Sequence, residues 1–253
     1  GRHISSNRYV PMILPDGRSL HGINDASIRI GLRLSKDETI VRMPFEVRHM
    51  GSKYPIFSFD FTGAKRGVFP ASYDYLRLEG RMQYRLNLPP VGYSRLMLEG
   101  GKIFGKVPYL LLKLHEGNGT YFYDRYAFSC MNFYEFSSDA WISFFYEHHF
   151  NGFLLGRVPL LKKLNWREVF VFKGVYGTLS ARNDGSLPNT KAVMLFPVGM
   201  SSVEHPYLET GFGIENIFRL LRVDFIWRLT HHRPIPGLSI PTFTVNFSLN
   251  LKF

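Results

Sequence analysis

The chain has one cysteine, Cys130, in 253 residues. A lone thiol excludes an internal disulfide framework and a cysteine-built zinc site. No stretch approaches about 18 consecutive apolar residues, so no transmembrane helix is encoded. That absence leaves a β-barrel open, because a barrel hides its hydrophobicity in alternation. Acidic residues are scarce, 20 against 31 Lys and Arg, for a formal charge of +11. Such an excess suits anionic surroundings, whether lipid headgroups, nucleic acid or acidic solutes. No internal repeat, low-complexity tract or linker divides the chain, so residues 1–253 are expected to form one domain. It opens on Gly1 with no initiator Met and no signal-like segment, which predicts a carboxyl-terminal piece of a longer protein.

What is abundant is aromatic: 23 Phe and 14 Tyr, a load that favours strands over helices. Period two recurs along the chain. "SIRIGLRL" sets Ile28, Ile30, Leu32 and Leu34 against Arg29 and Arg33. "YLRLEGRMQYRL" sets Leu76, Leu78, Met82 and Tyr84 against Arg77, Glu79, Arg81 and Arg85. "LRVDFIWRL" sets Val223, Phe225 and Trp227 against Arg222, Asp224 and Arg228, and "YLETGFGIEN" sets Leu208, Phe212 and Ile214 against Glu209 and Glu215. About eleven strands follow, near 26–35, 40–49, 54–62, 72–86, 93–104, 126–137, 139–150, 166–180, 206–216, 220–231 and 241–253. Those at 126–137 and 166–180 are mixed on both faces. Longer connections remain at 105–125, 151–165 and 181–205, with a short helix expected after Pro159.

Soluble sandwiches alternate too, but their strands are mostly about 5–6 residues long. Many strands here run about 9–12 residues, the length that a tilted strand needs to cross a bilayer. Their apolar faces carry hardly a charge, whereas their polar faces mix Arg, Glu and Asp, as a wet lumen accommodates. The fold class expected is therefore all-β, an antiparallel transmembrane β-barrel. Arg77, Glu79, Arg81, Glu209, Glu215, Arg222, Asp224 and Arg228 are expected to line its lumen, and Leu76, Leu78, Val223, Phe225 and Trp227 to face lipid. With the carboxyl terminus periplasmic, counting strands puts 182–205 and 231–240 outside, and 216–220, 105–125 and 151–165 on the periplasmic side. An odd strand count near eleven predicts an open sheet whose first and last strands do not pair well.

Four stretches carry a resemblance: "GSKYPIFSFDFTG" (51–63), "LEGGKIFGKVPYLLLKLHEGN" (98–118), "YEHHFNGFLLGRVPLLKKLNWREV" (146–169) and "PYLETGFGIENIFRLLRVDFIWRLT" (206–230). Together they resemble the carboxyl-terminal barrel of a Bacteroidetes outer-membrane family of unknown function. Its members, usually labelled carboxypeptidase-like regulatory domain-containing proteins, have a β-sandwich ahead of the barrel; that label implies no peptidase activity. More loosely, Arg222 and Asp224 near the end, followed by a last strand ending in Phe, are similar to the surface-antigen superfamily of assembly and secretion barrels. That likeness implies a sixteen-strand design of which this chain supplies the last 11–12 strands. It also implies that Phe247, Leu249, Leu251 and Phe253 form a signal read by the barrel-insertion machinery. The superfamily's lumenal Arg-Gly-Phe lid motif is absent from the sequence.

Catalytic and metal chemistry find little support. In "EHH" (147–149) and "HH" (231–232), neighbouring residues on a strand point to opposite faces and cannot chelate together. A composite site would need Glu147 and His149 beside a ligand from another strand. Ser129, Ser143 and Ser248 have no discernible partner for a lipid-hydrolysing pair, so neither enzyme activity nor a cofactor is expected. Basic residues alternate within strands instead of clustering with exposed aromatics, which argues against nucleic acid. The sequence reading is an integral barrel of the Gram-negative outer membrane. Its partners are outer-membrane lipids, the insertion machinery and envelope proteins whose assembly, export or organisation it assists. A porin-like or transport channel is the alternative.

Overall fold

In the computed structural model, residues 2–7, 10–42, 47–67, 71–186, 190–233 and 238–249 are described. Nine strands form the main sheet: β1 (Ile28–Leu34), β2 (Ile56–Ala64), β3 (Tyr75–Asn87), β4 (Tyr93–Gly105), β5 (Ala140–His149), β6 (Arg167–Thr178), β7 (Tyr207–Ile217), β8 (Leu221–Arg228) and β9 (Phe243–Leu249). Each pairs antiparallel with its neighbour in the chain, so the sheet is an uninterrupted meander from β1 to β9. Among the described residues β1 and β9 do not pair, and the sheet is open.

Strict alternation gives the sheet two unlike faces. One is bare and apolar, with Ile30 66% and Phe212 48% exposed, alongside Phe61, Leu76, Ile142 and Trp227. The other carries most of the charges and is covered towards the later strands: Glu209 and Asp224 have no exposed surface, and Arg222 and Arg228 are buried, whereas β1 is exposed throughout. The packed core is on this covered face as well. Phe128, for example, sits 5.1 Å from Phe145 on β5 and 5.3 Å from Tyr207 on β7.

The cover is the connection between β4 and β5, and here the structure corrects the sequence reading. Residues 126–137 are not a wall strand. Ala127, Phe128, Ser129, Cys130 and Met131 are buried in succession, a pattern with no outward face for a wall to present. Only Phe136–Ser138 extends, pairing with Lys113–Leu114 and Ser201–Ser202 in a small separate sheet. With that crossing gone, 105–125 leaves the sheet at the same end as 182–205, not at the end of 151–165. The expected strand at 40–49 is instead a hairpin of Thr39–Arg42 with Val47–Gly51; residues 43–46 lie outside the described residues. A one-turn helix, Pro159–Lys162, starts at the proline as expected.

Two glycines permit close approach. A Cβ on Gly101 would lie 2.6 Å from both the Leu78 carbonyl oxygen and the Trp141 ring. A Cβ on Gly213 would collide with the Asp224 carboxylate on the neighbouring strand.

Candidate functional site

The site is the seam between the covered face and the segment 106–139, called the inserted segment below. Four groups of side chains hold it. Glu209 on β7 accepts hydrogen bonds from the backbone N–H of Ser129 (2.8 Å) and Cys130 (2.7 Å) and from the Tyr207 hydroxyl (2.7 Å). Lys173 on β6, opposite Glu209 in the ladder, donates to the carbonyls of Asp124 (2.8 Å) and Ala127 (2.6 Å). Arg228 on β8 reaches Glu135 at 2.6 Å and also donates to the Cys130 carbonyl. These bonds satisfy irregular buried backbone that has no ladder of its own.

The fourth group centres on Glu147 of β5. Its carboxylate accepts from the Tyr123 hydroxyl (2.7 Å), Arg125 (2.6 Å) and Arg222 (3.1 Å). Arg222 also grips Asp224 at 2.7–3.0 Å. His149 points the same way and lies 3.3 Å from Glu215. Glu147, His149 and Glu215 are therefore brought together, the composite that a metal would need. Two guanidinium groups already neutralise Glu147, however, and they leave no uncompensated charge for a cation. His148, between them in sequence, faces the bare side.

All eight expected lumen charges occupy the polar side of their strands. Arg77 bonds Glu79 at 2.7 Å, and Arg81 shares Glu99 with Lys113 of the inserted segment at 2.5 and 2.6 Å. Sequence reasoning anticipated charge pairing between strands. It missed that Glu209 and Arg228 pair with residues 129–135, which it had placed in the wall. Lys173, Glu135, Glu147 and Arg125 were not on its list; "FYDRY" (122–126), with acid, base and two Tyr in five residues, was the available signal. Of the expected insertion signal, Phe247 and Leu249 lie on the bare face of β9, while Leu251 and Phe253 lie outside the described residues.

Two further features belong to this geometry. The outer edge of β9 is occupied: Tyr123 N donates to the Phe247 carbonyl (2.8 Å), and Phe247 N donates to the Tyr121 carbonyl (2.7 Å). Asn246 Nδ2 adds a bond to the Thr120 carbonyl at 3.1 Å. On the bare face, Ser94 Oγ lies 2.8 Å from His148 Nδ1, and His148 Nε2 lies 3.0 Å from the Val91 carbonyl. A carbonyl only accepts, so Nε2 carries the proton and Ser94 donates to Nδ1. Both side chains are buried, with Phe150 against the imidazole, so the pair satisfies two polar groups within an apolar surface.

An open up-and-down antiparallel sheet, with one charged face lined by the inserted segment and one apolar face, makes this an all-β protein. The structure is similar to the crystal structure of BamA from Haemophilus ducreyi lacking POTRA domains 1–3, with a TM-score of 0.52 at 11% identity, covering 94% of this chain and 45% of that one. The chain thus spans less than half of that structure's length, and the likeness is one of fold. Residues 3–181 match the family described as "Family of unknown function (DUF5686) C-terminal domain", and the chain belongs to that family. No curated protein matches it.

Proposed function

We propose that this chain is a transmembrane β-barrel domain of the Gram-negative outer membrane. In this reading it is not an enzyme and assists the assembly, export or organisation of envelope proteins. One observation carries the reading: over nine strands the charges concentrate on one face, while the opposite face is apolar and bare apart from Lys102 and Glu168 towards the ends of β4 and β6. Water offers no reason to leave such a band uncovered, since monomeric soluble proteins rarely expose contiguous apolar patches beyond about 300–600 Å². Lipid does, and Arg or Lys on a lipid-facing wall would cost about 2–4 kcal/mol at the midplane. The charged face would then be lumenal, the outer-membrane lipids and the insertion machinery its first partners, and Phe247, Leu249, Leu251 and Phe253 its insertion signal. The family's place in the Bacteroidetes envelope, suggested by the four sequence stretches, belongs to the same proposal.

The inserted segment weighs against the channel alternative. Its buried side chains fill the charged face where a conducting path would have to run. Fractionation and planar-bilayer recording of the full-length protein test both points. The expected outcome is heat-modifiable protein in the outer membrane without steady conductance. Recovery in the soluble fraction would sink the membrane reading, and stable ohmic pores would restore the channel.

A further inference from the structure

On the covered face nearly every arginine has a carboxylate. Arg29 has Asp60, Arg77 has Glu79, Arg81 has Glu99, Arg125 has Glu147, Arg222 has Asp224 and Arg228 has Glu135. Arg85 and Arg95 break the pattern together. Arg85 on β3 and Arg95 on β4 stand directly opposite each other in the ladder, where like charges repel. Among the described residues neither forms an ion pair, although Arg95 also stands opposite Glu147 in the ladder with β5. Both instead lie over the ring of Tyr93, with guanidinium carbons 4.3 and 5.3 Å from its centre. Tyr93 is itself stacked on His149 at 4.4 Å, so the platform beneath the two cations is anchored in the charged seam.

Both arginines border a cleft of about 900 Å³ at the end of the sheet where β3 gives way to β4. Arg125 and Lys53 add positive charge to its lining, against the carboxylates of Asp37 and Glu147. Glu147 is already committed to Arg125, Arg222 and Tyr123. The cleft is therefore cationic with its main acid spent. Two juxtaposed guanidinium groups without an ion pair of their own make sense if an external anion completes them. Their planar forks match the paired oxygens of a phosphate, and stacking on an aromatic fixes their orientation.

We propose that this cleft binds a phosphate monoester, held between Arg85 and Arg95 and approached by Arg125 and Lys53. The volume admits a phosphate on a larger body, either a free solute or a lipid headgroup. The inference goes beyond the barrel reading and does not need it, since the cleft exists whether the bare face meets lipid or another surface.

The test uses the full chain in neutral detergent. Inorganic phosphate is titrated calorimetrically in one arm. In the other, retention of phosphatidic acid in mixed micelles is measured against diacylglycerol, which has the same tails without the phosphate. Binding of either phosphate probe is expected, and which one identifies the source. Arg85→Gln and Arg95→Gln should each weaken it by about tenfold or more, as loss of a charge-assisted hydrogen bond implies. Arg29→Gln, on the same face but paired with Asp60, should leave it unchanged. Arg85 is exposed, so its variant folds even if that of Arg95 does not. The proposal is overturned if the native chain binds neither probe, or if Arg29→Gln weakens binding as much as Arg85→Gln.

Discussion

At the scale of single residues, the seam separates interactions by their surroundings. Glu135 and Arg228 are both buried, and removing one partner strands the other in a dry site. Glu135→Ala is expected to cost about 3–5 kcal/mol. Arg29, 65% exposed in its pair with Asp60, should cost about 0–1 kcal/mol on truncation to Ala. Urea unfolding of the two variants checks the contrast; equal losses would mean that the seam is wet. Cys130 lies beneath the inserted segment with its thiol pushed up to about 12 by burial and by the Glu209 carboxylate. Maleimide should therefore leave it unlabelled in the folded chain at neutral pH and label it on denaturation. His115 is held neutral: burial first, then Lys113, lowers it from its ordinary 6.5 to about 3. The unfolded chain takes up that proton as pH falls through 6.5, and the folded chain does not. Its contribution is thus complete above pH 6.5 and is lost progressively between 6.5 and about 3. His115→Gln should flatten the acid limb of a stability–pH curve in that window.

At the scale of elements, alternation made most of the sheet readable in advance. β3, with Arg77 and Arg81 on one side and Leu76 and Leu78 on the other, and β8, with Arg222 and Asp224 against Val223 and Phe225, stand as their sequences say, because a one-residue slip would exchange every side chain between faces. The stretch 126–137 was misread for a physical reason. It is aromatic like a strand, but Ala127–Met131 are buried in succession, and burial on all sides there erases the period that distinguishes a wall. Its register against Glu209 and Arg228 depends on partners some 80 and 98 residues away, which no local pattern encodes. The bare face gives the element-scale prediction. Phe212 stacks on Phe225 at 5.4 Å and on Trp227 at 6.2 Å across the ladder. Phe212→Arg is expected to deplete the outer-membrane fraction if that face meets lipid, by about 2–4 kcal/mol at midplane depth. An unchanged yield would show that the face meets water.

At the scale of the whole molecule, the fact to reckon with is distance along the chain. The inserted segment follows β4 in sequence, but it is seated by Asn183, Glu209, Arg228 and Asn246, separated from their partners by 76, 79–80, 93–98 and 126 residues. Contacts of that span form only after a large entropy of loop closure has been overcome. A growing chain therefore presents "YDRYAFSCMNFYE" (123–135) well before it has anything to hold it. Until β7 and β8 arrive, the N–H groups of Ser129 and Cys130 lack their acceptor and Glu135 lacks its cation. A chain ending at residue 206 should be cut by protease within 120–135, whereas the full chain should resist there; equal protection in both would refute this order. The plug is thus also a clock: its seating comes last, and it marks the moment at which the meander has become whole.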